Sequence, residues 1–281
     1  MQMERVIWDC PDFSLSQTLE CGQCFRYRKE DDNCYTVISG ERVVTLEQVG
    51  DSIVFYSGED IPFWKGYFDG NRNYGEIKKR LCKDDPVMAE AVLFAPGIRL
   101  LRQEFFETLM SFILSQNNHI PRIRGLIQKL SEEYGTPIDG EFYSFPTPQQ
   151  LEGVTEETYR RLGCGFRGRY MVDAVEKVLA GEFLPDKMEK LSTSELRQLL
   201  MSICGVGQKV ADCILLFSFG RYEVFPMDVW INRVFSHVYC GGVKLSAKEL
   251  QRLAAERFGD DAGFAQQYLF HYGREMKIGK V

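Results

Sequence analysis

Residues 199–213 constrain this chain more than any other stretch. Leu199-Leu200-Met201-Ser202-Ile203-Cys204 reads as the end of an apolar helix, Gly205-Val206-Gly207 breaks it, and Gln208-Lys209-Val210-Ala211-Asp212-Cys213 starts a second helix at once. Two glycines around one valine allow a tight helix-to-helix turn whose backbone can come close to another molecule. The second helix opens with unpaired N–H groups and the positive end of its dipole, a setting suited to a phosphate. Further on, Pro226-Met227-Asp228-Val229-Trp230 places an aspartate where another helix should begin. A hairpin able to grip a DNA backbone, a lysine at its exit and a later carboxylate together point to chemistry on DNA.

The charge balance at first opposes that reading, because the chain carries a net charge of −6. Residues 1–90 account for all of it, with 11 Lys and Arg against 17 Asp and Glu, while residues 91–281 hold 23 of each. Local basic clusters remain in the neutral part: Arg160, Arg161, Arg167 and Arg169, and Arg122, Arg124 and Lys129. Such clusters permit DNA binding without demonstrating it, since most are solvated faces. The N-terminal stretch Met1–Asp9 lacks the apolar core of a signal peptide, and no run approaches bilayer-spanning length, so a cytoplasmic protein with no membrane partner is expected, nucleoid-associated if bacterial. Nine cysteines at irregular spacing fit free thiols in a reducing compartment. Cys21-Gly22-Gln23-Cys24 is a lone C-x-x-C without a second ligand pair, and after the hairpin only Cys240 remains, which excludes a four-cysteine iron–sulfur site in the C-terminal part.

Residues 1–60 read as β-rich. Tyr35–Ile38, Val43–Leu46 and Ile53–Tyr56 are short β-branched and aromatic runs separated by Ser39-Gly40 and Gly50-Asp51, the pattern of an antiparallel meander. The strand pattern fades from about Asp60. Helices are expected over 73–83, 104–116 and from Pro121, with a looser link over 84–97, and after Arg167 to about Ala180, with a loop over 182–187. The hairpin occupies about 193–220, a helix follows Asp228, and two more lie near 247–258 and 261–272. The expected fold class is α+β: a small antiparallel β-containing N-terminal domain over 1–95 and a larger all-α body over 96–281, whose last helix completes the site.

Each candidate residue has two readings. Lys209 is either a phosphate contact or, partly desolvated at a helix N-terminus, an amine that attacks a sugar carbon. Asp228 is a helix N-cap, and the same carboxylate could stabilise positive charge on a sugar ring as a base departs. Cys213 and Phe217 follow Lys209 at four-residue steps on one helix face, as core or as the wall of a pocket for a flat base. Gln266 and Phe270 share that spacing on the last helix, where an amide can read a base edge while a ring stacks on its face. Gly22 is a turn or bulge, or a point where backbone approaches a ligand. His119, His237 and His271 form no metal-ligand or hydrolase pattern, and no Gly-x-Ser-x-Gly, P-loop or dinucleotide fingerprint is present.

Six segments in order resemble the 8-oxoguanine DNA glycosylase/AP lyase family, one of the helix-hairpin-helix DNA glycosylases, and the resemblance covers nearly the whole chain. They are Gly22-Gln23-x-Phe25-Arg26, Ser115-Gln116-Asn117-Asn118-x-Ile120-x-Arg122-Ile123, Gly163-x-Gly165-Phe166-Arg167-x-Arg169-Tyr170, Gly205-Val206-Gly207-x-Lys209-Val210-Ala211-Asp212-Cys213, Pro226-x-Asp228-Val229 and Ala265-Gln266-x-x-Leu269-Phe270. The resemblance implies a bifunctional glycosylase that excises 8-oxoguanine from duplex DNA, preferably opposite cytosine, through a Schiff base on Lys209 and β-elimination, with Asp228 stabilising the transition state. It places Gly22, Cys213, Phe217, Gln266 and Phe270 around the base, the Gly22 carbonyl accepting the N7 hydrogen that guanine lacks. Asn117 would fill the vacated space, Arg122 and Arg167 read the opposite cytosine and Phe166 wedge nearby. Gly205, Gly207, Gln208 and Val229 would contact the DNA backbone. No cofactor or catalytic metal is required, although a structural K+ or Na+ on the carbonyls of Met201, Ile203 and Val206 is implied, and the protein is expected to act as a monomer.

Three positions depart from the family pattern. Trp230 stands where animal members carry histidine, His119 where a third asparagine is common, and Phe217 where methionine is more usual. Two other readings compete: a monofunctional alkylpurine glycosylase, which needs the aspartate but not Lys209, and a non-enzymatic helix-hairpin-helix DNA-binding module, which needs neither Asp228 nor the Gly22 and Gln266 pocket.

Overall fold

The structure, a computed structural model, describes residues 5–56, 60–138, 140–243 and 245–278. Met1–Glu4, part of the N-terminal stretch read above, lie outside the described residues. The chain is α+β. Strands β1 (Val6–Asp9), β2 (Tyr27–Lys29), β3 (Cys34–Ser39), β4 (Arg42–Val49) and β5 (Ser52–Phe55) form an antiparallel sheet in the order β1-β5-β4-β3-β2. Alternation gives the sheet one buried face, with Tyr35 opposite Leu46, Val37 opposite Val44, and Leu46 opposite Phe55.

That face packs on Leu15 and Leu19 from helix α1 (Leu15–Glu20) and on Trp64 and Tyr67 from α2 (Ile61–Tyr67). Helix α1 corrects the uniformly β-rich reading of residues 1–60. It is only six residues long, too short to display a 3.6-residue period, but Ser14 caps it by accepting from the Gln17 amide at 3.4 Å.

The helical body comprises α3 (Tyr74–Cys82), α4 (Pro86–Phe94), α5 (Phe105–Ser115) and α6 (Ile120–Tyr134), then a small hairpin of β6 (Pro137–Ile138) and β7 (Phe142–Tyr143). Next come α7 (Glu156–Leu162), α8 (Gly168–Leu179), α9 (Pro185–Met188), α10 (Thr193–Met201) and α11 (Gln208–Phe217). The last three are α12 (Val229–Tyr239), α13 (Ala247–Phe258) and α14 (Ala262–Glu275). The link expected over 84–97 therefore contains a helix, α4, capped by Asp85, which accepts from the Met88 amide at 3.0 Å, with Pro86 in its first turn. The loop expected over 182–187 contains the start of α9.

Helix α5 runs through the core, with Leu109, Ile113 and Leu114 wholly buried. Helices α12 and α14 meet at Gly273, where a Cβ would lie 2.2 Å from a Val234 methyl. This contact fixes the helix that follows Asp228 against the helix that carries Gln266 and Phe270.

Sheet and body are joined at Gln23, whose side chain is fully buried. Its Nε2 donates to the carbonyls of Thr18 (3.0 Å) and Arg99 (2.8 Å), and its Oε1 accepts from the Leu101 amide (2.9 Å). Its own carbonyl accepts from Gln103 Nε2 at 2.8 Å. A second joint is ionic: Arg26, beside β2, meets Glu107 in the first turn of α5 at 3.3 Å.

Burial pushes the Glu107 carboxyl up to about 7 despite the pull of Arg26. A carboxyl raised in the folded state binds a proton that the unfolded chain has already released. Its stabilising contribution is therefore full below the ordinary value of 4.5 and is lost as pH rises through about 7. We expect the urea midpoint to fall between pH 5 and pH 8, and Glu107→Gln to flatten that slope; an unchanged slope would contradict the assignment.

Candidate active site

The hairpin forms as its glycines require. Helix α10 starts in a capping box between Ser192 and Glu195 and ends in a turn where the Val206 amide donates to the Ile203 carbonyl at 3.0 Å. Gly205 has a φ of +78°, and a Cβ there would lie 2.4 Å from the Tyr170 ring. Gly207 is the N-cap of α11 with open space around it, so the first amides of α11 face outward at a point reachable by another backbone. The Cys204 amide donates to Asp173 Oδ2 at 2.6 Å, tying the turn to α8. The carbonyls of Met201, Ile203 and Val206 lie on this turn, with that of Ile203 engaged by Val206. The Gln208 side chain donates to Gln251 rather than pointing away alone.

Lys209 sits in the first turn of α11 and is half-buried, its Nζ 5.2 Å from the centroid of the Phe112 ring. Phe112 in turn stacks on Phe217 at 5.5 Å and 11°, and meets Phe25 edge-on at 5.9 Å. Phe217 thus forms one wall with Phe112, and the ring of Phe112 is the floor under the lysine. One turn beyond Lys209, the Cys213 thiol is buried, and that burial pushes it up to about 11. The Lys209 ammonium opposes the shift, while the Asp228 charge adds to it. Lysine and carboxylate thus act on the Cys213 thiol with opposite sign. Asp228 caps α12, its Oδ1 accepting from the Ile231 amide at 2.7 Å, and the next residue, Val229, is exposed. The Trp230 ring has the Arg233 guanidinium 5.4 Å from its centroid.

A second wall comes from the loop after α1 and from α14. Gly22 has a φ of +91°, and the point where its Cβ would stand is 3.3 Å from Phe270, 3.2 Å from Ile120 and 3.1 Å from Arg274 Nη1. Gln267 Nε2 donates to the Cys21 carbonyl at 3.2 Å, which pins the loop to α14. Gln266 is only 5% exposed, and its Oε1 has no hydrogen-bond partner. A buried amide oxygen left unpaired is unfavourable by about 1–3 kcal/mol, so its persistence here marks a position that awaits a donor. Cys21 and Cys24 are free thiols that donate to the carbonyls of Thr18 and Leu19.

The loop between α5 and α6 presents Asn117, exposed and left-handed at φ +48°. Arg167, 4% exposed, holds that loop from below. Its Nε donates to the Gln116 carbonyl at 2.7 Å and Nη2 to the Asn117 carbonyl at 2.9 Å, with Nη1 on Cys164. Arg122 donates to the Gly163 carbonyl at 3.3 Å. Phe166 is exposed beside Arg167, whose guanidinium lies 4.6 Å from its ring centroid. His119 caps α6, its Nδ1 accepting from the Arg122 amide at 3.4 Å.

Two residues at the site were not singled out from sequence. Phe112 reads only as part of an apolar stripe, because nothing local shows that a lysine lies above it. Arg274 follows Phe270 by four residues, the spacing that already linked Phe270 to Gln266, and that repeat is the signal that could have found it.

A family profile described as the N-terminal domain of 8-oxoguanine DNA glycosylase matches residues 5–109, and one for the HhH-GPD superfamily of base excision DNA repair proteins matches residues 110–259. N-glycosylase/DNA lyase OGG1 of Arabidopsis thaliana is 31% identical, over 92% of this chain and 77% of that protein. The structure of MBOgg1 in complex with a low-affinity DNA ligand superposes with a TM-score of 0.93 at 47% identity, over 97% of this chain and 96% of that one. The 8-oxoguanine glycosylase/lyase of Clostridium acetobutylicum, in complex with duplex DNA containing cytosine opposite 8-oxoguanine, superposes with a TM-score of 0.92 at 38% identity, over 99% and 100% of the two chains.

The hairpin geometry yields its own test. In Gly205→Ala both the left-handed backbone and the Tyr170 ring oppose the new methyl, a strain on the order of 1–3 kcal/mol. DNA affinity is expected to fall roughly tenfold in a salt-matched titration. An unchanged affinity would mean that the hairpin does not hold the DNA backbone.

Proposed function

The chain belongs to the helix-hairpin-helix 8-oxoguanine DNA glycosylase family, and from that premise we propose how its residues excise the lesion. It is a bifunctional DNA glycosylase and AP lyase that flips 8-oxoguanine out of duplex DNA, preferentially opposite cytosine, and removes it. The observation that carries the assignment of roles is the placement of Lys209 in the first turn of α11, its Nζ over the Phe112 ring, with the Asp228 carboxylate fixed as the cap of α12.

The Lys209 ammonium gives a proton to the departing base, and the amine so formed attacks C1′ of the flipped nucleoside. The C1′–N9 bond breaks, and the base leaves with the electron pair and that proton. Asp228 opposes the positive charge that develops on the sugar; its hydrogen bond to the Ile231 amide fixes the carboxylate, so capping and catalysis use one geometry. Loss of the lysine proton and sugar ring opening give a Schiff base between Nζ and C1′. Removal of a C2′ proton then expels the 3′ phosphate by β-elimination.

Phe270 and Cys213 sandwich the base, Phe217 backs the pocket, and Gln266 meets the Watson–Crick edge with its unpaired oxygen. The Gly22 carbonyl takes the N7 hydrogen. Asn117 enters the space left in the duplex, Phe166 wedges beside it, and Arg122 and Arg167 address the orphaned cytosine. Since Arg167 holds the Asn117 loop through its backbone carbonyls, it links loop placement to recognition of the opposite base. The backbone of Gly205, Gly207 and Gln208, with Val229, holds phosphate. A monovalent cation on the carbonyls of Met201, Ile203 and Val206 would add positive charge beside that phosphate.

The N-terminal domain over 1–95 and the body over 96–281 work as one enzyme, because the Gly22 loop and α14 join to form one wall of the site while Phe112 and Phe217 form the other. The protein acts as a monomer in the cytoplasm without a membrane partner; among the described residues no helix is long and apolar enough to cross a membrane.

A labelled duplex with 8-oxoguanine opposite cytosine should be cleaved without alkali; cleavage only after alkali would remove the lyase step. Excision should be slower opposite the other three bases, and equal rates opposite all four would refute the preference. Asp228→Asn separates capping from chemistry, since asparagine caps as well as aspartate. Its stability should stay within about 0.5 kcal/mol of wild type while excision falls about a hundredfold or more. Near-normal excision by that variant would leave Asp228 a cap alone.

A further inference from the structure

One hydrogen bond at Gly22 is a thin basis for separating 8-oxoguanine from the vast excess of guanine, since it is worth about 1–3 kcal/mol. The second feature that distinguishes the lesion is the oxygen on C8, where guanine carries only a hydrogen. A side chain that reads this oxygen would have to be a donor, lie beside Gly22 and be left without a partner when the pocket is empty.

Arg274 meets these conditions. Two of its three nitrogens are occupied: Nε donates to Glu275 at 2.9 Å, and Nη2 donates to the Glu20 carbonyl at 3.1 Å and lies 3.4 Å from His271 Nδ1. These bonds orient the guanidinium. Nη1 is buried, has no hydrogen-bond partner and stands 3.1 Å from the point where a Gly22 side chain would begin. The same guanidinium lies 5.6 Å from the centroid of the Phe270 ring, on which the base stacks in the reading above.

Register along α14 selects the edge of the base. Gln266, Phe270 and Arg274 fall at i, i+4 and i+8, one stripe about 12 Å long from end to end. An acceptor with no donor, a stacking ring and a donor with no acceptor follow one another along it. A purine lying over Phe270 with its Watson–Crick edge toward Gln266 turns its imidazole edge toward Arg274. On that edge O8 is the neighbour of N7, whose hydrogen goes to Gly22.

We propose that Arg274 Nη1 donates a hydrogen bond to the C8 oxygen of the flipped base and is a specificity-determining residue for 8-oxoguanine. Guanine in the same pose leaves the Gly22 carbonyl and Arg274 Nη1 both unmatched, so the two readings reinforce each other. The inference rests on the proposed function and extends it to the contact that recognises the extra oxygen.

The test uses the full chain, the variants Arg274→Leu and Arg274→Lys, and single-turnover kinetics on three duplexes. With 8-oxoguanine opposite cytosine, R274L should excise about 10- to 100-fold more slowly than wild type, and R274K should recover part of the loss because it keeps a donor. With 8-oxoadenine opposite cytosine, which keeps O8 and the N7 hydrogen but has an amine in place of O6, the loss should be as large. With a preformed abasic site, where no base is present, cleavage by R274L should change by less than about threefold.

Equal rates for R274L and wild type on 8-oxoguanine would overturn the proposal. A loss confined to 8-oxoguanine would assign Arg274 to O6, and a parallel loss on the abasic site would make it a structural residue; either overturns it. If the wild-type protein released no 8-oxoguanine at all, the functional reading would fall first and this inference with it.

Discussion

The site depends on one buried carboxamide. Gln23 has no contact with solvent, and its hydrogen bonds run to three separate parts of the chain: the end of α1, the 99–101 segment and Gln103 before α5. Removing any partner would leave a polar atom buried and unpaired, at a cost of about 1–3 kcal/mol, so the loop has little freedom to move. Gly22 precedes this clamp, and Gln267 holds the loop on its other side through the Cys21 carbonyl. A recognition step that turns on single hydrogen bonds needs its acceptor fixed to a fraction of an ångström, and the clamp supplies that rigidity.

A second buried network positions Lys209 and Asp228, the pair proposed to carry out the chemistry. Asp212, three residues after Lys209, pairs with Arg197 of α10 at 2.6 Å and accepts from Gln251 of α13, which also reaches the Phe225 carbonyl. The lysine helix and the segment leading to Asp228 are thereby tied to common partners. Burial pushes the Asp212 carboxyl up, against the pull of Arg197. Charge is used locally throughout. The overall acidity resides in residues 1–90, whereas the turn proposed to hold DNA offers backbone amides at Gly205–Gln208, which carry no net charge and escape any composition argument.

Legibility in the sequence followed the range of the interactions involved. The three strand runs, the hairpin and the long helices α5, α6 and α11 were readable because period and turn chemistry are local. Helix α4 was missed although Asp85-Pro86 signals its start, since its apolar residues spread around the helix and leave no stripe. Helices α1 and α2, at six and seven residues, were too short to show a period. Lys209, Asp228 and the Gln266–Phe270 pair could be named as candidates, but the residues alone left each with a bland alternative. What distinguishes them is spatial: the ring of Phe112 under Lys209, the Ile231 amide that fixes Asp228, and the partnerless Oε1 of Gln266. Arg274 belongs to the same class. An arginine near the end of a helix is unremarkable until two of its nitrogens are seen to be engaged and the third is not.

The central claim is that one amine, Lys209 Nζ, bonds to the sugar. The most direct measurement is reduction with borohydride during turnover of an 8-oxoguanine duplex, followed by proteolysis and mass mapping of the cross-linked peptide. The deoxyribose remnant should lie on Lys209, with no adduct formed by Lys209→Gln. An adduct on another lysine, on the chain's N-terminal amine, or none during active excision would contradict the account.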